Sequence, residues 1–349
     1  MAFVEEKLQR ILNHAIDGKK IFGTSFCVQV GNERWSGASG NFNISDPFFI
    51  ASTTKLFISA LTFNLIAQGK LQLSDKISNF FDQKLIENLV VIKGNDFSSQ
   101  ITIQNLLAHT SGIADYFQVE DSVGMSWEKA LKSGTDQSWD LPQLLERSKI
   151  LKARFIPGTP GKAHYSDTNF QLLGRIVEMI HLKPLEELIR TQIAEPLGLK
   201  NTYLFRDVND TTPKRMYFER NELDLPKAMV SFGPDGGIVS TSIDLMDFLV
   251  AFFAGKFFPA NQFSMMQQWN KIFFPMESGV GLHRFKLPWF LNPFGQVPEM
   301  IGHSGLSGAL AYFIPSKNMY ITGTVNQIAS PDRSFRLAIS LMQQASKRG

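Results

Sequence analysis

Ser52 and Lys55 are the first residues along the chain whose types and spacing suit chemistry. They lie three apart within residues 48–67, FFIASTTKLFISALTFNLIA, and so share one face of a helix. The stretch is apolar nearly all round and runs to Gly69, a residue suited to a left-handed C-terminal cap. A helix of this kind is buried, and Lys55 is its single charge. A buried ammonium is costly, so it needs a partner or a readiness to lose its proton. A serine hydroxyl is a weak nucleophile until a base takes its proton, and a desolvated lysine one turn away can be that base. A serine at a helix N-terminus also sets backbone N–H groups and the positive dipole end beside a developing oxyanion.

The spacing alone decides nothing. Ser126-Trp127-Glu128-Lys129 repeats it in a polar setting, where Ser126 reads as a helix N-cap. The length of residues 48–67 approaches that of a membrane span, but Lys55, Asn64 and several Ser and Thr residues argue against one. Two further places could bear on a reaction. Tyr165 follows the rigid loop Pro157-Gly158-Thr159-Pro160-Gly161 and precedes a helix expected over residues 170–180, capped by Asn169 or Asp167. Gly302-His303-Ser304-Gly305-Leu306-Ser307-Gly308 lies between strands, where glycines let a substrate approach the backbone. His109, in His109-Thr110-Ser111-Gly112, reads as part of a tight helix-ending turn with a structural role. The histidines show no zinc-type spacing and no phosphate-binding loop is present, so neither a metal nor any other cofactor is expected.

The elements that must position these residues run as follows. An amphipathic helix over residues 3–17 shows Phe3, Val4, Leu8, Ile11, Leu12 and Ile16 on one side. Strands at 24–30 and 33–38 flank Gly31-Asn32, a hairpin signal. Helices are expected at 102–108, 141–148, 184–194 and 244–253, with a polar surface excursion at 118–140. Residues 256–299 are dense in Phe, Pro, Met and Trp and are expected to wall a cleft as acyl pocket or lid, favouring an apolar acyl group. Strands at 280–285, 309–314 and 319–325 and a helix at 333–345 close the chain. Strands at both ends and helices between them imply layered α and β structure.

A net charge of +3 without a Lys/Arg cluster gives no reason to expect nucleic acid. Cys27, the single cysteine, excludes an intramolecular disulfide and sits in an apolar run as a core residue. The N-terminal residues lack the apolar core of a signal peptide. The sequence as written therefore points to the cytoplasm, or to the periplasm or secretion if a signal has been removed.

Four features stand in order: Ser52-Thr53-Thr54-Lys55, Tyr165-Ser166-Asp167, Gly236-Gly237-Ile238-Val239-Ser240-Thr241 and His303-Ser304-Gly305. This set resembles the serine β-lactamase-like superfamily, in particular the branch of class C β-lactamases, D-alanyl-D-alanine carboxypeptidases and related esterases. Leu106-Leu107-Ala108-His109-Thr110-Ser111-Gly112 and the 157–161 loop resemble structural signatures of that branch. The resemblance implies an α/β fold of α+β type: an antiparallel sheet flanked by the terminal helices, with a large helical lobe inserted. Residues 1–50 and 215–349 would form the sandwich lobe and 51–214 the helical lobe, with the active site at their junction.

It further implies a serine hydrolase acting on an ester, an amide (a D-amino-acid peptide) or a β-lactam, with a small-molecule or peptide acyl substrate. Ser52 would be acylated, Lys55 and Tyr165 would serve as base and proton shuttle, and the backbone N–H groups of Ser52 and Leu306 would form the oxyanion hole. Asp167, His303, Ser304, Gly305 and Asn326 would contact substrate. The alternative is a slow-turnover or non-catalytic penicillin-recognising scaffold of the same fold.

Two departures matter. Asp167 stands where the class C pattern has Asn, and either places a negative charge beside Lys55 or accepts a hydrogen bond. His303 stands where that pattern has Lys, which weakens the fixed positive charge for a substrate carboxylate. Asp167 would alter substrate preference, and His303, with the missing signal peptide, favours esterase or peptidase activity over efficient β-lactamase activity.

Overall fold

The computed structural model describes residues 5–293 and 295–347. Its frame is an eight-stranded antiparallel sheet in the order Asn270–Phe273, Met276–Ser278, His283–Phe285, Met300–Ser304, Ala309–Ile314, Met319–Thr324, Gly23–Val30 and Glu33–Gly40. The expected hairpin is present, with Val30 opposite Glu33. The first strand then pairs with Met319–Thr324, so the two ends of the chain meet in mid-sheet.

The sheet is covered on both faces, and side-chain alternation shows how. Leu310, Tyr312 and Ile314 face a cluster with Leu8 and Leu12 of helix Glu5–Ala15 and Leu337 and Leu341 of helix Asp332–Ser346. Phe3 and Val4, expected on the apolar side of the first helix, lie outside the described residues. Ala309 and Ala311 face the opposite cluster, where small side chains let helix Ser242–Phe253 lie close. Ser25 Oγ meets Ser242 Oγ at 2.9 Å and Thr322 Oγ1 donates to the Ser242 carbonyl at 2.6 Å, pinning that helix to the sheet. Cys27 is fully buried, and burial pushes its thiol up to about 12, so it is an inert core residue.

The buried helix begins later than the sequence pattern suggests. Phe48–Phe49 is a short strand paired with Val239 and Ser240, Ala51–Thr53 is a single 3₁₀ turn, and the α-helix runs Thr54–Ala67. The apolar run at 48–50 reads as helix by composition, but its backbone groups are claimed by the neighbouring strand. Gly69 follows the helix with a positive φ, as expected. Phe57 stacks on Phe248 with centroids 3.6 Å apart, and full burial of such a ring is worth about 2–3 kcal/mol.

Helix Ile103–Leu107 starts at a Thr102 capping box, and Ser126 caps the helix Trp127–Lys132 through Lys129 N–H. The 118–140 excursion is less superficial than its polarity suggests: Trp127 and Trp139 pack with Tyr116, and Trp139 is buried against Phe232. Ser166 holds the N-cap position of helix Asp167–His181 without a side-chain capping bond, so Asp167 and Asn169, expected as caps, lie inside the first turn instead.

Residues 256–299 divide into two parts. Phe257, Phe258 and Phe263 pack around the 242–253 helix. Phe274 and Trp289, at the sheet edge, are 67% and 80% exposed. Among the described residues no helix is long and apolar enough to cross a membrane.

One close approach sets the distance between the Asp167–His181 helix and the turn Gly233–Asp235. A Cβ at Gly174 would come within 2.3 Å of Pro234 Cβ. Gly174→Val is therefore expected to lower the unfolding free energy by about 1–3 kcal/mol, measured by urea denaturation. An unchanged midpoint would show that the turn can withdraw without loss.

Candidate active site

Ser52 sits at the start of the 3₁₀ turn, after Ala51 in a left-handed conformation (φ 46°) that costs a non-glycine residue roughly 1 kcal/mol. The strain is held from both sides. Ile50 N–H donates to the Ile238 carbonyl at 3.0 Å, and Ser307 Oγ donates to the Phe49 carbonyl at 2.8 Å. Gly305 presses against the same turn: a Cβ there would lie 2.6 Å from the Ile50 carbonyl oxygen and 3.0 Å from Ser52 N. The glycine at 305 thus brings the 305–307 loop directly beside the Ser52 backbone.

Lys55 is 0% exposed. Its Nζ makes three polar contacts: an ion pair with Asp167 Oδ1 at 2.6 Å, a hydrogen bond to the Asp235 carbonyl at 2.6 Å and one to Ser52 Oγ at 3.1 Å. The faces of Tyr165 and Phe170 lie 5.2 and 5.5 Å from Nζ, within cation–π range. Tyr165 OH donates to Ser52 Oγ at 2.8 Å. Burial first, then Asp167, push the Tyr165 phenol well above its ordinary value, so it is a neutral donor. Serine, lysine, tyrosine and aspartate from three separate elements therefore meet around one hydroxyl.

Three residues position this group that sequence reasoning left out of the site. His109 holds the Tyr165 loop. Its Nδ1 accepts from Ser166 N–H at 3.1 Å, its carbonyl accepts from His164 N–H at 2.9 Å, and its ring stacks on Tyr165 at 4.6 Å. Its structural role was readable from its turn; its link to Tyr165 was not. Asp115 accepts from Asp167 N–H at 3.1 Å and fixes the first turn of that helix. Burial and Asp167 push the Asp115 carboxyl up to about 8. Asp235 gives its carbonyl to Lys55, while Oδ2 accepts from Tyr116 OH at 2.8 Å and Gln171 Nε2 at 3.0 Å. The sequence signal for Asp235 was its place in Gly233-Pro234-Asp235-Gly236-Gly237.

The other expected residues are placed unevenly. His303 is buried, its Nδ1 donates to the Ser304 carbonyl at 2.9 Å, and its ring stacks on His283 at 3.9 Å. Burial, His283 and Lys55 push it well below its ordinary value, so it is neutral. Ser304 Oγ accepts from Tyr312 OH at 3.4 Å. Leu306 lines the cleft next to Ser52. Asn326 is buried with Nδ2 on the Arg215 carbonyl at 2.7 Å, and it is not among the residues lining the cleft.

The cleft at Ser52 has apolar walls of Phe117, Leu131, Met216, Met229, Phe232 and Ile328. Among the described residues none of 256–299 lines it, which corrects the expectation that this stretch forms its acyl pocket or lid. Composition marked an apolar surface there, but part of it packs around the 242–253 helix and Phe274 and Trp289 stay exposed at the sheet edge. Among the described residues no cluster of His, Cys, Asp or Glu could hold a metal ion.

Comparison with known proteins follows from this geometry. A family model described as Beta-lactamase matches residues 8–345. The chain is 25% identical over 338 residues to the D-alanyl-D-alanine-carboxypeptidase/endopeptidase AmpH of Escherichia coli K12, covering 91% of this chain and 82% of that one. The D-amino acid amidase from Ochrobactrum anthropi SV3 superposes with a TM-score of 0.77 at 22% identity, over 96% of this chain and 99% of that one. EstCE1, a hydrolase with promiscuous acyltransferase activity, superposes with a TM-score of 0.79 at 19% identity, over 97% and 98%. The large antiparallel sheet with many helices is the fold these proteins share.

The neutral histidines have a measurable consequence. His283 is pushed down to about 3 by burial and Lys55. An unfolded histidine titrates near about 6.5, so below that pH the unfolded chain binds more protons than the folded one. The stability that depends on neutral His283 is present above about pH 6.5 and lost as pH falls towards 3. Urea unfolding between pH 7.5 and 4.5 is expected to show a smaller loss in His283→Leu than in wild type. The difference should approach about 1.4 kcal/mol per pH unit. Equal slopes would show that His283 is not held neutral.

Proposed function

The chain belongs to the Beta-lactamase family, and from that premise we propose that it is a serine hydrolase working through an acyl-enzyme on Ser52, acting on an amide or ester. The observation that carries this reading is the part-buried Ser52 hydroxyl lying 2.8 Å from Tyr165 OH and 3.1 Å from Lys55 Nζ. The carboxypeptidase and amidase names of similar proteins support an amide, and the apolar cleft supports an apolar acyl group.

In this reading Lys55 first hands a proton to the Asp167 carboxylate 2.6 Å away, Ser52 Oγ attacks the substrate carbonyl carbon, and its proton passes by way of Tyr165 OH to the freed Lys55 amine. The bond from carbon to the leaving nitrogen or oxygen breaks, and the pair returns a proton to that atom. A water molecule then gives a proton to the same pair and attacks the acyl carbon, the bond from that carbon to Ser52 Oγ breaks, and the pair hands the proton to Oγ, which restores the starting state. The N–H groups of Ser52 and Leu306 are the oxyanion donors, and the tight seat of Gly305 supports that arrangement. Asp167 and the Asp235 carbonyl hold Lys55 in line with the hydroxyl. The same machinery would open a β-lactam, but neutral His303 offers no cation for the β-lactam carboxylate.

Intact-mass measurement after fluorophosphonate treatment should show one adduct on wild type and none on Ser52→Ala. Penicillin and p-nitrophenyl butyrate, followed alongside, separate a persistent adduct from turnover. An adduct that survives in Ser52→Ala, or wild type inert to all three probes, would overturn the assignment. Tyr165→Phe should keep KM and lower kcat by about 10²–10⁴-fold on the ester, in proportion to lost proton transfer.

A further inference from the structure

Two side chains stand between the cleft at Ser52 and a second cavity. Met216 and Met229 line both spaces. The cleft has about 50 Å³ of free volume, whereas the second cavity has about 290 Å³. Buried Phe49, Phe205, Leu223 and Leu225 give that cavity apolar walls, and the exposed ion pair Arg215–Asp224 also lines it. The backbones that carry the two methionines are held. Met216 pairs with Leu223 in a short hairpin, and its neighbour Tyr217 donates N–H to the Asn326 carbonyl at 3.1 Å and accepts from Ile328 N–H at 2.8 Å. Met229 lies in helix Pro226–Phe232, where its N–H donates to the Leu225 carbonyl at 3.0 Å. The partition is therefore two unbranched thioether side chains. Each can change rotamer without moving the element that bears it, which a β-branched residue could not do as freely.

Resting on the hydrolase reading above, we propose that Met216 and Met229 form a gate that sets acyl-chain length and shape, so that the site takes esters or amides of straight-chain carboxylic acids whose tails pass between them into the second cavity. Tyr165, through which the leaving group gains its proton, does not line the Ser52 cleft, so the leaving group lies on the tyrosine's side and the cleft is left to the acyl part. A short acyl group stays in the small space at Ser52. A longer unbranched chain pushes the thioethers aside and moves its outer methylenes from water into an apolar space, which offsets the rotamer change. A ring with the same number of carbons cannot thread between two side chains and has only the volume at Ser52. The gate thus selects on shape and not on hydrophobicity alone.

The test uses the whole protein and the p-nitrophenyl esters of acetate, octanoate and cyclohexylacetate, the last two having equal numbers of acyl carbons. In wild type, octanoate should exceed both acetate and cyclohexylacetate by about tenfold or more in kcat/KM. This comparison needs no variant and so holds whether or not a variant folds. Met229→Phe, which fills the passage with a larger and stiffer side chain, should lower the octanoate-to-acetate ratio by about tenfold. Met229→Ala, which opens it, should bring the octanoate-to-cyclohexylacetate ratio towards one. If wild type turns over octanoate no faster than acetate or cyclohexylacetate, or a folded Met229→Phe keeps the wild-type ratio, the gate is overturned; a fluorophosphonate adduct on Ser52 then leaves the hydrolase reading standing. If no ester is turned over and fluorophosphonate leaves Ser52 unlabelled, both fail.

Discussion

A lysine ammonium with no access to water is the constraint on which the rest of the site depends. Removing one such ion from water costs several kcal/mol even after the protein relaxes, so every group around Lys55 has to offset that cost. The offset comes from distant parts of the chain: Asp167 from the start of one helix, the Asp235 carbonyl from a turn some 180 residues away in sequence, and the rings of Tyr165 and Phe170. Each of these carriers is in turn fixed by something that has no other evident purpose. Asp115 ties down the Asp167 backbone, Tyr116 and Gln171 grip Asp235, and Gly174 lets the 233–235 turn close on its helix. The stability of the inner core and the geometry of the hydroxyl are therefore one problem, solved by the same contacts.

Around this ion the remaining polar groups are kept neutral. His109, His283 and His303 form a run of rings from Tyr165 towards the end of the Met300–Ser304 strand, and all three are pushed down by burial and by Lys55 itself. Tyr165 is pushed up by the same burial. In the proposed mechanism a proton moving between Ser52, Tyr165 and Lys55 would travel among rings held neutral at neutral pH. That keeps the local field fixed, which is the condition under which preorganised dipoles work best.

Much of the frame was legible because periodicity reports burial directly. The 23–40 hairpin, the strands 309–314 and 319–324 and the closing helix follow from alternation and turn residues. The membership of Ser52, Lys55 and Tyr165 in one site was legible only through motif order, since nothing local links positions so far apart. Other features were illegible for stated physical reasons. Phe48 and Phe49 look helical by composition, yet their backbone pairs with a strand far along the chain. Trp127 and Trp139 sit among polar residues but are drawn inward by Tyr116 and Phe232. Residues 256–299 were legible as apolar, but not that their described residues stand outside the lining of the Ser52 cleft, because a stretch's hydrophobicity does not say which wall it builds.

The two departures from the class C pattern are best understood together. Asp in place of Asn and neutral His in place of Lys each make the site one charge unit less positive. Taken alone, Asp167 could be read as a mere anchor for Lys55, and a stacked His303 as a space-filling ring. Their combined effect is directional: the position that would attract a carboxylate loses its charge, and the position near the nucleophile gains the opposite one. A substrate is discriminated as strongly by groups left unpaired as by groups it satisfies.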